Sequence, residues 1–272
     1  GIGGDCFCLY APADSPDIIA INGSGRAPQA LNTELLLSQG ITKIEQQSAH
    51  SVTVPTAVDA WVQLNRDYGT MPLADLLQPA IGYADDGFPV AQRSAFDFAG
   101  CLALLKGDAD ASDVFLKAGQ TYQMGEILRQ PALAKTLREI AEKGRAGFYE
   151  GWVADDLLAK LNGLGGLHTA DDLAMARADY VTPISTNFRG YDIFECPPNG
   201  QGMIALLLLN MAAGMDVSDG PLSISRIHHE IEAGRLAYRD RSAYLADPAF
   251  SAVPVDEILD PAYADKVRAQ ID

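Results

Sequence analysis

Two glycine-rich turns near the N-terminus contain residue types that can bind a small anion. The first turn, GIGGD, contains Gly3 and Gly4, and the second, NGSGRAP, contains Ser24 and Arg26. Glycine lets backbone N–H groups approach a ligand closely, and the planar guanidinium of arginine matches a carboxylate. These residues therefore predict an anion-binding site. The alternative is two ordinary glycine turns beside a surface Arg26 that pairs with Asp5.

The sequence between the two turns predicts the element that positions them. Two apolar runs, CFCLY and IIAIN, are separated by the turn-rich stretch APADSPD. This pattern indicates two antiparallel strands joined by a loop. Because a hairpin returns the chain to its starting end, we expect the two glycine turns to lie side by side.

The usual motifs of an activated catalytic nucleophile are missing from the sequence. It contains neither a G-x-S-x-G elbow nor a papain-type cysteine motif. The GIGGD turn lacks the Lys and the Ser or Thr of a P-loop, and it precedes a strand instead of joining a strand to a helix. Three pairs of adjacent carboxylates near predicted helix ends are interpreted as solvated: Asp85 with Asp86, Asp155 with Asp156, and Asp171 with Asp172.

The spacing of cysteine and histidine argues against a metal site. The one C-x-C pair has no second closely spaced pair, and HHEIE lacks the second His of a zinc-protease motif. We therefore expect no metal and no cofactor, and cysteines that are small buried apolar residues in a reducing compartment. This predicts a cytoplasmic protein, with a periplasmic or secreted location as the alternative. The residues concerned are Cys6, Cys8, Cys101, Cys196, His50, His168, His228 and His229.

Composition and charge exclude several classes of partner. The chain has 272 residues, of which 48% are hydrophobic, enough for a sizeable core. Its formal net charge of −16 repels phosphate backbones and anionic membranes, so we expect no nucleic acid partner. The longest apolar run, residues 203–215, is shorter than the roughly 20 residues that span a bilayer, and no membrane anchor is predicted.

Apolar spacing of three and four residues predicts a mainly helical middle of the chain. Strands return at YVTPIS and YDIFEC, and an almost wholly apolar helix then follows the loop PPNGQG. The N-terminus of that helix could hold an anion, but Gln201 and Gly202 are better explained by a tight strand-to-helix turn. The predicted helices cover residues 55–69, 72–87, 131–144, 151–163, 169–176, 203–214 and 223–245.

Longer motifs resemble the large subunit of the gamma-glutamyltransferase (gamma-glutamyltranspeptidase) family. GIGGD, a hairpin and a loop ending in AP are followed by VPTAVDAWVQLNRDYGTMPLADLLQPAIGYADDGFPV. Further on, GRAGFYEGWVADDLLAKLNGLGGLHTADDL, the strand leading to PPNGQG, and AYRDRSAYLADPAF resemble family motifs in the same order. The resemblance therefore extends over nearly the whole chain.

The resemblance implies an α/β (α+β) fold of the N-terminal-nucleophile hydrolase type, an αββα sandwich. This chain would supply its helix-rich large-subunit part, and residues 1–272 would form a single, incomplete domain. It would begin after the family's first helices and end before the nucleophile. That nucleophile is the first Thr of a small subunit, which is released when one precursor cleaves itself.

The implied activity is cleavage of gamma-glutamyl amides such as glutathione through an acyl-enzyme on that Thr. The implied assembly is a heterodimer, or a dimer of heterodimers, with the small subunit from the same precursor. This chain alone is expected to be inactive, and no catalytic residue is assigned to it. Its substrate-binding residues are predicted to be Arg26, Ser24, Gly3 and Gly4.

One departure from the family pattern bears on the substrate. The family holds the substrate α-carboxylate with the Arg of an R-E-x-A-P loop, whereas here the aligned stretch is S-G-R-A-P. Ser24 stands in the Arg position, and Arg26 lies two residues later, a shift of roughly 6 to 7 Å along an extended chain. If Arg26 does not reach the carboxylate, the protein is an amidohydrolase or acylase for a different acyl group. A non-catalytic binding or structural subunit is the third alternative.

Overall fold

The computed structural model describes residues 1–216 and 220–271 as a mixture of helices and short strands. The strands are β1 Cys6–Tyr10, β2 Ile19–Gly23, β3 Phe88–Pro89, β4 Leu116–Lys117, β5 Gln120–Thr121, β6 Ile127–Leu128, β7 Asp179–Val181, β8 Ile184–Phe188 and β9 Tyr191–Glu195. The helices are α1 Thr33–Ser38, α2 Ala57–Tyr68, α3 Leu73–Asp86, α4 Gln92–Gly100, α5 Leu102–Lys106, α6 Ala109–Phe115, α7 Pro131–Lys143, α8 Ala146–Tyr149, α9 Gly151–Gly163, α10 Ala170–Met175, α11 Gly202–Ala213, α12 Ile224–Tyr244, α13 Val255–Leu259 and α14 Pro261–Arg268.

The chain divides into two compact units. The first contains Gly1–Arg26, Thr53–Ala60 and the described part of Ala176–Asp272. The second contains Ala27–Val52 and Trp61–Met175. Compact units can belong to one domain or to two, so the expectation of a single incomplete domain over residues 1–272 stays a prediction.

The predicted N-terminal hairpin is the start of the first unit. β1 and β2 pair antiparallel, with Cys6 opposite Gly23 and Tyr10 opposite Ile19. β7 then pairs with the other edge of β2, giving the order β1-β2-β7. The chain therefore returns to this sheet near residue 180.

The other predicted strands form a separate hairpin. YVTPIS divides into β7 and β8 around Pro183, which has no backbone N–H with which to continue a ladder. YDIFEC forms β9, which pairs with β8 and not with the β1-β2-β7 sheet. Arg189 and Gly190 connect the two strands and both have positive φ, 54° and 88°. This is the backbone of a two-residue type I′ turn.

α11 is the centre of the first unit's core. Leu207 and Met211 are fully buried and pack with Ala233 and Ala237 of α12. α13, α14 and the β8–β9 hairpin also contact α11. The almost wholly apolar helix of the sequence therefore packs between other helices and the β8–β9 hairpin.

The second unit contains most of the predicted helices, with α3 packed against α7. Pro79 lies inside α3, and Pro131 begins α7, where a missing N–H costs nothing. Short segments that sequence patterns did not assign also form structure in this unit, among them α4, α5 and α6. None of these three helices is longer than nine residues, and Gly100 and Gly107 end two of them.

Asp172 corrects one sequence interpretation. Its N–H donates to Thr169 Oγ1 at 3.1 Å, and its carboxylate accepts from Thr169 N at 2.9 Å and Gln29 N at 3.0 Å. The interpretation of Asp172 as a solvated carboxylate is therefore wrong, because the residue is 6% exposed and closes a capping box at the start of α10. Burial alone would raise the pKa of Asp172, but these donors lower it below its usual value.

The cysteines differ in burial. Cys196 is buried, whereas Cys6 and Cys8 are half-buried and Cys101 is exposed. The expectation of small buried residues is therefore correct for Cys196 and wrong for Cys101. Across residues 1–216 and 220–271, no three His, Cys, Asp or Glu side chains are grouped to hold a metal ion. No helix within these ranges has the length and apolar character needed to cross a membrane.

Candidate substrate-binding site

The hairpin register brings the two glycine turns to one end of the sheet. Because Cys6 lies opposite Gly23, the residues before Cys6 and those after Gly23 leave the same end of the β1–β2 ladder. The first turn of α2 closes this end, where Ala57 N donates to Gly4 O at 3.2 Å. The predicted convergence of the two turns is therefore confirmed.

Close packing fixes the backbone of the second turn, residues 23–26. A Cβ at Gly23 would lie 2.9 Å from Cys6 O, and one at Gly25 would lie 2.0 Å from Val54 O. Gly25 also has φ +73°, which favours glycine. Val54 N donates to Arg26 O at 2.7 Å. The turn is therefore held in place on both sides before any ligand binds.

A ring of three side chains stabilises the same turn. Ser24 N donates to Asn22 Oδ1 at 3.0 Å, and Asn22 Nδ2 donates to Asn199 Oδ1 at 2.8 Å. Asn199 Nδ2 donates to Ser24 Oγ at 2.7 Å, which closes the ring. All three residues are half-buried. Because an amide is not a base, the ring does not activate Ser24 as a nucleophile.

Arg26 carries positive charge at this site. Its Nε lies 3.7 Å from Asp247 Oδ2, and its side chain is 65% exposed. The alternative in which Arg26 pairs with Asp5 is therefore wrong, because the carboxylate beside the guanidinium comes from the segment that follows α12. A pair of this length and exposure is loose, and the guanidinium can contact a dissolved anion.

The first glycine turn contributes less than its sequence suggests. Gly4 N donates to Gly1 O at 3.2 Å, so this amide hydrogen is used inside the turn. Gly3 is exposed, and the space where its Cβ would lie is open. The roles of Gly3, Gly4, Ser24 and Arg26 in substrate binding stay predictions.

No sequence pattern indicates that Asn22 and Asn199 belong to this site. Asn22 ends an apolar strand, and Asn199 lies in PPNGQG, where the sequence predicts a tight turn at Gln201 and Gly202. That interpretation agrees with the packing, because a Cβ at Gly202 would lie 2.6 Å from the Cβ of Glu195. Gln201 Oε1 accepts from Arg241 Nη1 at 3.2 Å.

Cys196 lies beneath the same sheet but does not have the properties of a catalytic thiol. Its Sγ is 3.8 Å from Cys8 O and 3.9 Å from Ile21 O. Burial raises the pKa of the Cys196 thiol, and the nearby Glu195 carboxylate raises it further. Because the thiolate is the nucleophile, this thiol is unreactive. The groups that remain at this site, the Ser24 hydroxyl and the Arg26 guanidinium, are suited to binding a small polar anion.

The comparisons with known proteins agree over the whole chain. The profile of the family described as Gamma-glutamyltranspeptidase matches residues 1–272. The chain is 35% identical over 275 residues to the Glutathione hydrolase-like YwrD proenzyme of Bacillus subtilis (strain 168), covering 100% of this chain and 52% of that protein. It thus spans about half the length of this curated relative.

Two solved structures share the fold. The gamma-glutamyltranspeptidase of Helicobacter pylori superposes with a TM-score of 0.91 at 31% identity, covering 100% of this chain and 79% of that one. The cephalosporin acylase from Bacillus halodurans superposes with a TM-score of 0.92 at 36% identity, covering 100% and 52%. The predicted fold, helix-rich and of the N-terminal-nucleophile hydrolase type, is confirmed.

Proposed function

Because this chain belongs to the gamma-glutamyltranspeptidase family, we propose that it is the large-subunit portion of an enzyme that cleaves gamma-glutamyl amides such as glutathione. The match of the family profile to all 272 residues is the observation that carries the proposal. The name of the Bacillus subtilis relative, a glutathione hydrolase-like proenzyme, supports both the substrate class and the origin in a precursor.

In this proposal the chain binds the acyl donor and its partner performs the chemistry. The Arg26 guanidinium leaves Asp247 and contacts the α-carboxylate of the donor, while Ser24 and the exposed Gly3 border the same ligand. The N-terminal Thr of a small subunit from the same precursor attacks the amide carbonyl, and the amine leaves as an acyl-enzyme forms. Water or an acceptor amine then takes the acyl group and frees the Thr.

The assembly and the location are part of the same proposal. The two subunits form a heterodimer or a dimer of heterodimers, and the reaction needs no cofactor. Steering of an acidic donor is local, since the net charge of −16 repels it at long range. We place the protein in the cytoplasm, where thiols such as the exposed Cys101 stay reduced.

A second candidate, an acylase for a different acyl group, is favoured by the position of Arg26. Asp247 already neutralises this cation, and Ser24 offers only neutral hydrogen bonds. The 36% identity to a cephalosporin acylase agrees with it. A donor without an α-carboxylate would then bind at the Ser24 turn.

Turnover of chromogenic anilides by the complete precursor separates the two candidates. Release of the aniline from gamma-glutamyl anilide supports the first candidate, and release only from other acyl anilides supports the acylase. If the processed precursor hydrolyses neither kind, the proposal of an enzyme is wrong and a binding or structural subunit remains. This 272-residue chain alone serves as the control, and it is expected to release no aniline.

A further inference from the structure

We infer that Asn199 is a positioning residue, which orients the Ser24 hydroxyl as a hydrogen-bond donor to the acyl donor. The inference rests on the proposed function, since it concerns how the same turn recognises its substrate. Neither residue is assigned a catalytic role, because the Asn199 amide that contacts Ser24 Oγ is not a base. Their importance lies in the direction of the hydrogen bonds between them.

One backbone amide sets the direction of every hydrogen bond in the ring. The backbone N–H of Ser24 can only donate, so the atom of Asn22 that faces it at 3.0 Å must be the oxygen. The other end of the Asn22 amide is then Nδ2, which must donate to Asn199 at 2.8 Å. The atom of Asn199 that receives this hydrogen bond is its oxygen, so its Nδ2 faces Ser24.

The hydroxyl hydrogen of Ser24 therefore points away from the ring. Ser24 Oγ accepts from Asn199 Nδ2 at 2.7 Å, and a second donor cannot use the same contact. Within residues 1–216 and 220–271, the Ser24 hydroxyl donates no hydrogen bond. Ser24 as a whole residue is half-buried. The ring thus presents one outward O–H donor.

The fixed backbone gives this donor a defined position. Gly23 and Gly25 lie against Cys6 O and Val54 O, so the turn cannot shift without separating from its neighbours. Two residues further on, Arg26 adds a positive charge at the exposed side of the turn. A carboxylate or carbonyl oxygen of the acyl donor is the group that fits an O–H donor beside a guanidinium.

The substitution Asn199→Asp tests the direction without removing the contact. A carboxylate only accepts, so Asp at this position still receives Asn22 Nδ2, but it also draws the Ser24 hydroxyl hydrogen inward. The ring stays hydrogen-bonded, while the outward donor is lost. In the processed full-length precursor we expect KM for gamma-glutamyl anilide to rise roughly tenfold, with kcat nearly unchanged.

Three further variants separate positioning from charge. Ser24→Ala removes the same outward donor and is expected to raise KM by a similar factor. In the Ser24→Ala background, Asn199→Asp should then raise KM only by the effect of its added charge. Gln201→Glu adds the same charge two residues away in the same loop, where Arg241 can still bind it, and it is expected to leave KM near that of the wild type.

The outcomes identify which claim fails. Three results overturn the positioning role while gamma-glutamyl activity stands. These are an unchanged KM in Asn199→Asp, an equal rise of KM in Gln201→Glu, or full additivity of the two changes in the double variant. If the wild-type precursor hydrolyses no anilide, the proposed function fails and the inference falls with it. The melting temperature of each variant is measured in parallel, because unfolding of part of the enzyme lowers the apparent kcat and leaves KM unchanged.

Discussion

The guanidinium of Arg26 is balanced by a carboxylate that it can leave at little cost. The Nε to Oδ2 distance of 3.7 Å and the 65% exposure of the arginine describe a loose surface pair with Asp247. Pairs of this kind contribute about 0 to 1 kcal/mol. A substrate carboxylate that makes a bidentate contact offers more, about 1.5 to 3 kcal/mol. Arg26 can therefore exchange Asp247 for a ligand.

Removing this charge should weaken substrate binding while the fold stays intact. For Arg26→Ala in the processed precursor we expect KM for gamma-glutamyl anilide to rise roughly 10- to 100-fold, the equivalent of a lost charge-assisted hydrogen bond. Steady-state kinetics measures the change. Arg93→Ala is the matched control, since Arg93 pairs with Asp97 on an exposed helix. An unchanged KM in Arg26→Ala would place the carboxylate site elsewhere.

His168 makes the stability of the protein depend on pH. Its side chain is 2% exposed, its Nε2 lies 3.0 Å from Val52 O, and its Nδ1 is buried without a partner. Burial lowers the pKa of His168 below the usual 6.5, although the contact with Val52 O and the nearby Asp172 oppose this. The unfolded chain thus binds a proton at a higher pH than the folded protein.

The contribution of His168 to stability is therefore complete above about pH 6.5 and falls as the pH drops from there toward the lowered pKa of the folded state. Urea denaturation at several pH values between 5 and 8 should show the free energy of unfolding decreasing toward acid. This decrease in the free energy of unfolding toward acid should be smaller in His168→Gln. The exposed His228→Gln is the control and should keep the wild-type slope. Equal slopes in all three proteins would contradict this account of His168.

Local sequence patterns identified the helices and strands that are long or whose residues alternate strictly. Half-buried and exposed residues alternate along β1, Cys6–Tyr10. α12 begins and ends within one residue of its predicted bounds. α4, α5 and α6 were missed because each is at most nine residues long and glycines interrupt the periodicity. Short amphipathic segments of this kind do not have enough turns to show a period.

The candidate site was predictable in its local part and not in its long-range part. Gly25 and Arg26 could be placed near the first glycine turn, because a hairpin joins residues close in sequence. The bond between Asn22 and Asn199 joins residues 177 positions apart, and no spacing in one sequence indicates such a contact. The contact between Asp247 and Arg26 is not indicated by spacing either, because the packing of the first unit brings these two residues together.

The tight turn after β2 gives a prediction for Gly25. Gly25→Ala introduces a side chain at φ +73° and places its Cβ 2.0 Å from Val54 O. Strain and overpacking together should lower the free energy of unfolding by about 2 to 5 kcal/mol. Urea denaturation measures the loss. Gly190→Ala is the matched control, since its φ is +88° but its Cβ would meet open space.

We expect Gly190→Ala to cost only the backbone strain, about 1 to 2 kcal/mol. If the two variants are equally stable, the contact with Val54 does not hold the turn, and the Ser24 site is more mobile than the packing indicates.

At the scale of the whole molecule, the central question is the origin of the nucleophile. The chain spans about half of its Bacillus subtilis relative, which is named a proenzyme. In the proposed function the residues around Ser24 and Arg26 bind and orient the acyl donor, and the buried Cys196 thiol has a raised pKa. Binding groups on this chain and a nucleophile released by self-cleavage together account for the half-length match to a proenzyme and for the unreactive Cys196.

Intact mass and N-terminal sequencing of every polypeptide in the purified full-length precursor show whether self-cleavage releases the nucleophile. We expect two polypeptides, one containing residues 1–272 and a second that begins with Thr. A single uncleaved polypeptide that nevertheless hydrolyses the anilide would contradict it, as would a second polypeptide that begins with a residue without a nucleophilic side chain.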